Sequence, residues 1–394
     1  MLRHTVHFVY AAIIGVILMA AGQAHAISWP QSPNVQAKAW ALLDANSGQV
    51  LSKHNEHEEL APASLTKMMT LYLAFEDLKL GRLKLDETVS VSKKAWKIGG
   101  STMFLDPRMH PKVEELLHGI ATLSGNDACI ALAEHIAGSE EAFAERMNQK
   151  ASELGMTHTH FVNATGFPAK NHYSSAMDMA RLGAALWRDF PEEYKLFSEK
   201  SFTYKDHTQP NRNRLLWSYP LADGIKTGHT KDAGFCLVGS AQKDDTRLVS
   251  AVFGASSDIQ RARQSRVLLT FGFRNFATLR PAERDIRRQV AIYQGKADHV
   301  WLVPANPIWI TVPRGYEKHI AFRLRYHSPL IAPIKQGQNV GVIEAVLRDK
   351  SKKATVLATM NMQARHAVAR ASWIGRQWDT LRLWWSKEDV EDKP

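Results

Sequence analysis

The hydrophobic pattern of this chain changes its period near Pro281, and that change limits what the chain can fold into. Before it, apolar residues recur at helical spacing over long stretches, interleaved with strand-like runs. After it, V-W-L-V, W-I-T-V, I-A-F-R-L-R-Y and V-G-V-I-E-A-V-L are short runs of β-forming residues split by Pro, Gly and Asn. Such runs bounded by turn residues read as strands, so a small all-β domain is expected over 284–363. The mixed pattern ahead of it predicts an α+β domain over 27–283. With 394 residues, 45% of them apolar, the chain can bury two cores.

Inside the first domain the alternation from Val35 to Leu51, with Asn46-Ser47-Gly48 as its turn, predicts an opening hairpin. Leu65, Met68, Met69 and Tyr72 follow the i, i+3, i+4, i+7 rule, which predicts an amphipathic helix with Pro62 at its start. Helical patterns return over Val113–Ile136, Glu141–Leu154 and Asp178–Trp187, with a loop over 155–173. The stretch Phe202–Phe253 reads as strands, and Arg263–Phe276 as a closing helix.

The N-terminus carries Arg3, then an apolar run from Phe8 to Ala21, then Ala24-His25-Ala26. This is too short a run to span a bilayer and has the small-x-small cleavage pattern, so residues 1–26 are expected to be a secretory signal peptide. The formal net charge of +11 would suit nucleic acid. No basic run is interleaved with aromatics, however, and export argues against that partner. Anionic lipid or an acidic polymer suits the charge equally well. Cys129 and Cys236 lie in apolar surroundings and read as two small buried hydrophobes. His158 and His160 form an H-x-H without a further ligand at zinc spacing, so no metal and no cofactor is expected.

Three short stretches carry chemistry. Ser64-x-x-Lys67 places both side chains one helical turn apart. Ser124-Gly125-Asn126 and Lys226-Thr227-Gly228 follow in that order. Ser-x-x-Lys also occurs at Ser90–Lys93 and Ser240–Lys243; the latter has neither triplet downstream, and the former does not open an apolar helical stripe as Ser64-x-x-Lys67 does. The ordered set is that of serine β-lactamases and penicillin-binding proteins. A serine hydroxyl needs an adjacent base, and a lysine can serve if burial and a second cation lower its proton affinity. Lys67 is placed for that role, with Lys226 as the second cation. Ser124 can relay a proton to a leaving amine, and Asn126 can hold a substrate amide. The backbone N–H groups of Ser64 and His229 can form an oxyanion hole. Lys226, Thr227 and Thr230 suit a substrate carboxylate.

The chain resembles the low-molecular-mass penicillin-binding proteins that are D-alanyl-D-alanine carboxypeptidases. Besides the three motifs, the likeness includes S-L-T-K-M-M-T, S-G-N-D-A-C, Y-S-S-A-M-D-M-A, N-R-N-R-L-L-W and D-G-I-K-T-G-H-T. It extends to L-L-T-F-G-F-R, P-R-G and S-P-L-I-A-P-I. The resemblance implies a catalytic domain with an antiparallel sheet flanked by helices, a β-rich second domain and an amphipathic C-terminal anchor helix. It makes Ser64 the nucleophile, Lys67 the base and Ser124 the relay, with Lys226 and Arg261 on the terminal carboxylate. It implies peptidoglycan pentapeptide as substrate and β-lactams as covalent inhibitors. The alternatives are a DD-endopeptidase, a β-lactamase or a non-catalytic peptidoglycan-binding scaffold. No Asp or Glu occurs between Glu153 and Asp178, so the loop acid that serves class A β-lactamases is absent.

The C-terminal segment, residues 364–394, is expected to be an amphipathic helix and tail. On a helical wheel Trp373, Ile374, Trp378, Leu381, Trp384 and Trp385 fall on one side. Tryptophans flanked by cations suit a lipid interface. With the signal peptide, this predicts a peripheral enzyme at the periplasmic face of the bacterial inner membrane.

Overall fold

The computed structural model describes residues 29–348 and 354–385. The expected signal peptide lies outside them. The chain divides into two compact units: residues 31–279 with 309–314, and residues 280–308 with 315 onward.

The first unit is built on a five-stranded antiparallel sheet. Its strands are β1 (Ala39–Asp44), β2 (Val50–His54), β5 (Ala222–Thr230), β6 (Gly234–Lys243) and β7 (Thr246–Ala255), in the order β2-β1-β7-β6-β5. A small ribbon of β3 (Ser201–Tyr204) and β4 (His207–Pro210) stands apart from it. The predicted hairpin forms, with Gly48 taking the left-handed conformation at its turn. All six residues of β1 are buried, because helices cover both faces of the sheet. Ala39, Ala41 and Leu43 face one core, shared with Leu182 and Leu186 of a helix over Ala176–Asp189. Trp40 and Leu42 face the other, shared with Leu268, Leu269 and Phe273 of a helix over Asp258–Asn275. Alternation along one strand therefore feeds two cores.

We number the longer helices α1 (Lys67–Lys79), α2 (Asn126–Ala137), α3 (Glu140–Glu153), α4 (Ala176–Asp189) and α5 (Asp258–Asn275). Four expectations need correction here. The helix after Pro62 is not amphipathic: every residue from Lys67 to Phe75 is buried, since α1 runs through the middle of the helical part. M-M-T-L-Y-L-A-F is apolar nearly all round, the signature of an enclosed helix. Ser64 also lies outside α1, in a 3-10 turn over Ala63–Thr66. The pattern read as helical over Val113–Ile136 is interrupted. A helix over Val113–His118 passes into a π-turn at Gly119–Leu123, and Ser124 takes a left-handed backbone before α2 begins. Helices α3, α4 and α5 start earlier than their apolar periodicity suggested, because Ser139, Ser175 and Ser257 cap them with their hydroxyls.

The second unit is built on a β-sheet, as expected. β9 (Arg288–Tyr293), β10 (His299–Pro304), β12 (Ile320–Tyr326), β13 (Leu330–Ile331), β14 (Asn339–Arg348) and β15 (Ala354–Ala364) form a six-stranded sheet. Val290, Ile292, Val300 and Leu302 are buried, and the residues between them point outward. β8 (Phe276–Leu279) and β11 (Ile310–Pro313) pair within the first unit. There the buried Asp44 carboxylate accepts bonds from the hydroxyls of Thr278 and Thr311. Burial raises the pKa of Asp44 above the usual carboxylate value. A final helix, α6 (Trp373–Trp385), belongs to the second unit, where the buried Asp379 accepts a 2.5 Å bond from the Gln294 amide of the chain just after β9.

The loop over 155–173 is fixed against the 3-10 turn and α1. The Asn163 side-chain oxygen accepts from the Thr165 and Gly166 amides, folding the tip on itself. His172 accepts the Val162 N–H at Nδ1, so its Nε2 donates to Thr66 at 2.9 Å. Burial drives the pKa of His172 down to about 4, which keeps that tautomer neutral. Gly166 has φ +84°, and a Cβ there would stand 1.8 Å from the Ala63 carbonyl oxygen. Gly166→Ala should therefore cost roughly 1–3 kcal/mol from clash and backbone strain together. Gly155→Ala is the control, since Gly155 has φ +69° with open space around it and meets only the backbone cost. Denaturant unfolding of both variants checks this: Gly166→Ala should be clearly the less stable of the two, and equal losses would contradict the close packing.

Candidate active site

Seven segments converge on one cleft of about 180 Å3, lined by Ser64, Ser101, Ser124, Arg212, Thr227, Gly228, His229, Phe235 and Arg261. Ser64 comes from the 3-10 turn. Ala63 before it has φ +48°, a strained value for a residue with a Cβ. The turn lifts Ser64 to a partly exposed position while Lys67, three residues on, stays fully buried beneath it. Lys67 Nζ donates to Ser64 Oγ at 3.0 Å and to the Thr165 carbonyl at 2.5 Å. Burial lowers its pKa to about 8, and the positive charge of Arg212 acts in the same direction. Cys129, Asp127 and Glu140 pull the other way, with less effect than burial.

Ser124 enters through the break ahead of α2. Its left-handed backbone turns the side chain out of the helical path, and its buried hydroxyl has no hydrogen-bond partner among the described residues. A buried hydroxyl left unpaired is costly, and a bound group can satisfy it. Asn126 donates from its side chain to the Gly99 carbonyl at 2.7 Å, and its amide donates to the Ser101 carbonyl at 2.7 Å. Next to it the Asp127 carboxylate collects the Met103 and Leu105 amides at 2.9–3.0 Å. These bonds tie the 99–105 segment to the front of α2, so that Ser101 forms one wall of the cleft.

Strand β5 supplies the opposite wall. Lys226 is buried behind it and donates to the Thr227 carbonyl at 3.1 Å. Its pKa is pushed well below the usual lysine value by burial first and by Lys67 second. Gly228 permits the close approach of strand and turn: a Cβ there would meet the Pro62 carbonyl at 2.9 Å and the Ala63 Cβ at 3.2 Å. His229 stacks on Phe235 with ring centres 4.0 Å apart. Arg261, from α5, donates to the Gly228 carbonyl at 3.0 Å and lies over the Phe235 ring. Burial lowers its pKa to about 10, so it stays charged near neutrality. Thr230 stands at the end of β5, where its hydroxyl accepts the Ala233 amide in the β5–β6 turn.

The structure thus brings Ser64, Ser124, Thr227, Gly228, His229 and Arg261 onto the cleft surface, with Lys67 directly beneath. Asn126 and Lys226 brace its walls, and Thr230 lies at its edge. Reasoning from sequence missed Arg212, Ser101 and the Thr165 carbonyl. Arg212 sits inside N-R-N-R-L-L-W, so the signal for it was present as part of the resemblance. Ser101 and the Thr165 carbonyl leave no such signal, because they act through where the backbone is held. Cys129 and Cys236 are both free and buried, and burial raises their thiol pKa to about 12 and about 11, respectively.

Comparison with known proteins bears on the family. The D-alanyl-D-alanine carboxypeptidase family matches residues 26–257, and the C-terminal domain of penicillin-binding protein 5 matches residues 277–367. D-alanyl-D-alanine carboxypeptidase DacC of Escherichia coli is 43% identical over 362 residues, covering 90% of this chain and 89% of that protein. The crystal structure of penicillin-binding protein 5 from Haemophilus influenzae superposes with a TM-score of 0.81 at 38% identity. It covers 86% of this chain and 100% of that one. Penicillin-binding protein D2 from Listeria monocytogenes, in its ampicillin-bound form, matches at 29% identity with a TM-score of 0.57. That match covers 61% of this chain and 100% of that one. The chain belongs to the D-alanyl-D-alanine carboxypeptidase family of serine peptidases and carries the penicillin-binding protein 5 type of C-terminal domain.

Proposed function

We propose that this protein removes the terminal D-alanine from peptidoglycan pentapeptides through an acyl-enzyme on Ser64. The observation that carries this reading is the buried Lys67, 3.0 Å from Ser64 Oγ, with a pKa lowered to about 8. A lysine so depressed is neutral often enough near pH 8 to take the serine proton. Ser64 Oγ attacks the carbonyl of the penultimate residue, and the amide groups of Ser64 and His229 hold the developing oxyanion. Ser124, whose hydroxyl is free of other bonds, passes the proton to the leaving nitrogen. Thr227 and Arg261 bind the terminal carboxylate, with Lys226 buried behind them. Water then releases the shortened peptide.

A β-lactam enters the same path and stops at the acyl-enzyme. The segment facing Lys67 from the 155–173 loop offers a backbone carbonyl, that of Thr165, and no carboxylate. Glu140, a carboxylate that reaches this loop, is bound to the Ala164 amide and to Lys94. Neither arrangement supports a fast deacylating base of the β-lactamase kind.

The same reading places the protein outside the inner membrane and on its surface. Among the described residues no helix is long and apolar enough to cross a membrane. Helix α6 turns its polar Asp379 inward and leaves Trp373, Ile374, Trp378 and Leu381 exposed, each more than half. That reversal of the usual amphipathic order supports adsorption to a lipid interface.

Two tests follow from these assignments. Labelled penicillin should attach covalently to Ser64 alone, as read by peptide mass mapping. Ser64→Ala should abolish both labelling and D-alanine release, and a mutant that still labels would overturn the assignment. Replacing Trp373, Trp378 and Leu381 together by Ser should cut binding to anionic lipid vesicles at least tenfold and leave D-alanine release unchanged. Vesicle binding that survives this triple change would contradict the surface-helix reading.

A further inference from the structure

As a relay, Ser124 must point its hydroxyl at the leaving nitrogen, yet that hydroxyl is buried and bonded to nothing among the described residues. Its aim therefore depends on the backbone, which turns left-handed at the end of the π-turn over Gly119–Leu123. A π-turn is a rare, locally poor geometry that persists only where its surroundings hold it. Met103 holds it on one side: a Cβ at Gly119 would stand 1.9 Å from the Met103 sulfur, so that side chain is seated on the turn. A carboxylate holds it from another side, that of Glu199, which follows a 3-10 turn over Glu193–Ser198.

Glu199 grips the segment at two points one helical turn apart. His118, the last residue of the helix over Val113–His118, donates to it from Nδ1 at 2.9 Å, and the Thr122 hydroxyl donates to it at 3.1 Å. Thr122 is buried and stands two residues before Ser124. The bond to Glu199 holds the pKa of His118 above its usual value, and the charge of Glu114 acts in the same direction. The His118 ring also stacks on Phe202 of β3, with ring centres 5.3 Å apart. The grip has a firm base. The Glu199 carbonyl accepts from the Asn211 side chain at 2.8 Å, and Gln209 of β4 donates to the Thr102 carbonyl at 3.1 Å, beside the Ser101 wall of the cleft.

We infer that Glu199 is a positioning residue for proton transfer to the leaving group: by gripping His118 and Thr122 it fixes the π-turn that aims Ser124. This rests on the reading of Ser124 as the relay. When an amide is cut, the bond from Ser64 Oγ to the carbonyl carbon forms as the C–N bond breaks. The Ser64 proton goes to Lys67, which replaces the one that Ser124 gives to the nitrogen, and an amine departs. A thioester of the same acyl peptide breaks its C–S bond instead. Its sulfur, the conjugate base of a thiol of pKa about 8.5, departs as a thiolate and needs no proton from Ser124. A group that acts by aiming Ser124 therefore matters for the amide and hardly for the thioester. A group that only holds the fold together matters equally for both.

The test measures kcat/KM of the full chain on a peptidyl-D-alanyl-D-alanine and on the thioester that has the same acyl peptide and thiolactate as leaving group. Glu199→Gln should lower the value for the amide roughly ten- to hundredfold, a part of the about 10²–10⁴ that a positioned acid contributes. It should lower the value for the thioester by less than about threefold. Thr122→Val keeps the shape of its side chain and should show the same bias, which tests the grip even if Glu199→Gln fails to fold. Ser124→Ala should show that bias in full. Adding Glu199→Gln to Ser124→Ala should then cost the amide less than about twofold more, because the effect runs through that hydroxyl. Amide cleavage by either single variant within about threefold of the wild type overturns the inference. So does a loss shared equally by the two substrates, or a full further loss in the Ser124→Ala background. If Ser124→Ala itself loses amide and thioester alike, the relay reading falls and takes the inference with it. Failure of the wild type to release D-alanine would instead overturn the carboxypeptidase reading beneath both.

Discussion

The burial of Lys67 is the constraint on which the rest of the catalytic unit depends. An ammonium group taken out of water is costly unless it is bonded or loses its proton. Here it is given two acceptors, Ser64 Oγ and the Thr165 carbonyl, and is fully buried near the positive charge of Arg212. The first provision holds the side chain in place, and the second drains its charge. Both are needed if a lysine is to act as a base close to neutral pH.

Much of the surrounding structure can be understood as the means of keeping that arrangement. Helix α1 is enclosed on all sides, so Lys67 cannot swing to solvent. The 155–173 loop is clamped to the 3-10 turn through His172 and Thr66 and through the close seat of Gly166 on Ala63. Gly228 lets β5 approach the same turn from the other side. The left-handed conformations of Ala63 and Ser124 each store strain beside the cleft. Such strain persists only where surrounding packing over-determines it, as the two buried cores do here.

The parts of this structure legible in the sequence are those written in residue type and local order. The S-x-x-K, S-G-N and K-T-G stretches named the chemistry, and the β-rich pattern after Pro281 named the second architecture. Parts written only in three dimensions were not legible. Ser64 was read as helical because Leu65, Met68 and Met69 keep helical spacing, but a positive φ at Ala63 has no periodicity to betray it. The break at Ser124 was hidden by apolar residues that continue on either side of it. The Thr165 carbonyl is a backbone group and carries no residue signature. Arg212 stood within the N-R-N-R-L-L-W resemblance without a role of its own, and only folding showed that it faces the cleft.

The most direct test of this account is the pH profile of Ser64 acylation by a penicillin under single-turnover conditions. A base must be unprotonated to accept the serine proton, so the neutral form of Lys67 is the active one. With its pKa lowered to about 8, the acylation rate should climb nearly tenfold per pH unit below that value and level off above it. A rate that is flat from about pH 6 to pH 9, or that keeps climbing toward the ordinary lysine value near 10.4, would contradict the claim that burial makes Lys67 the base.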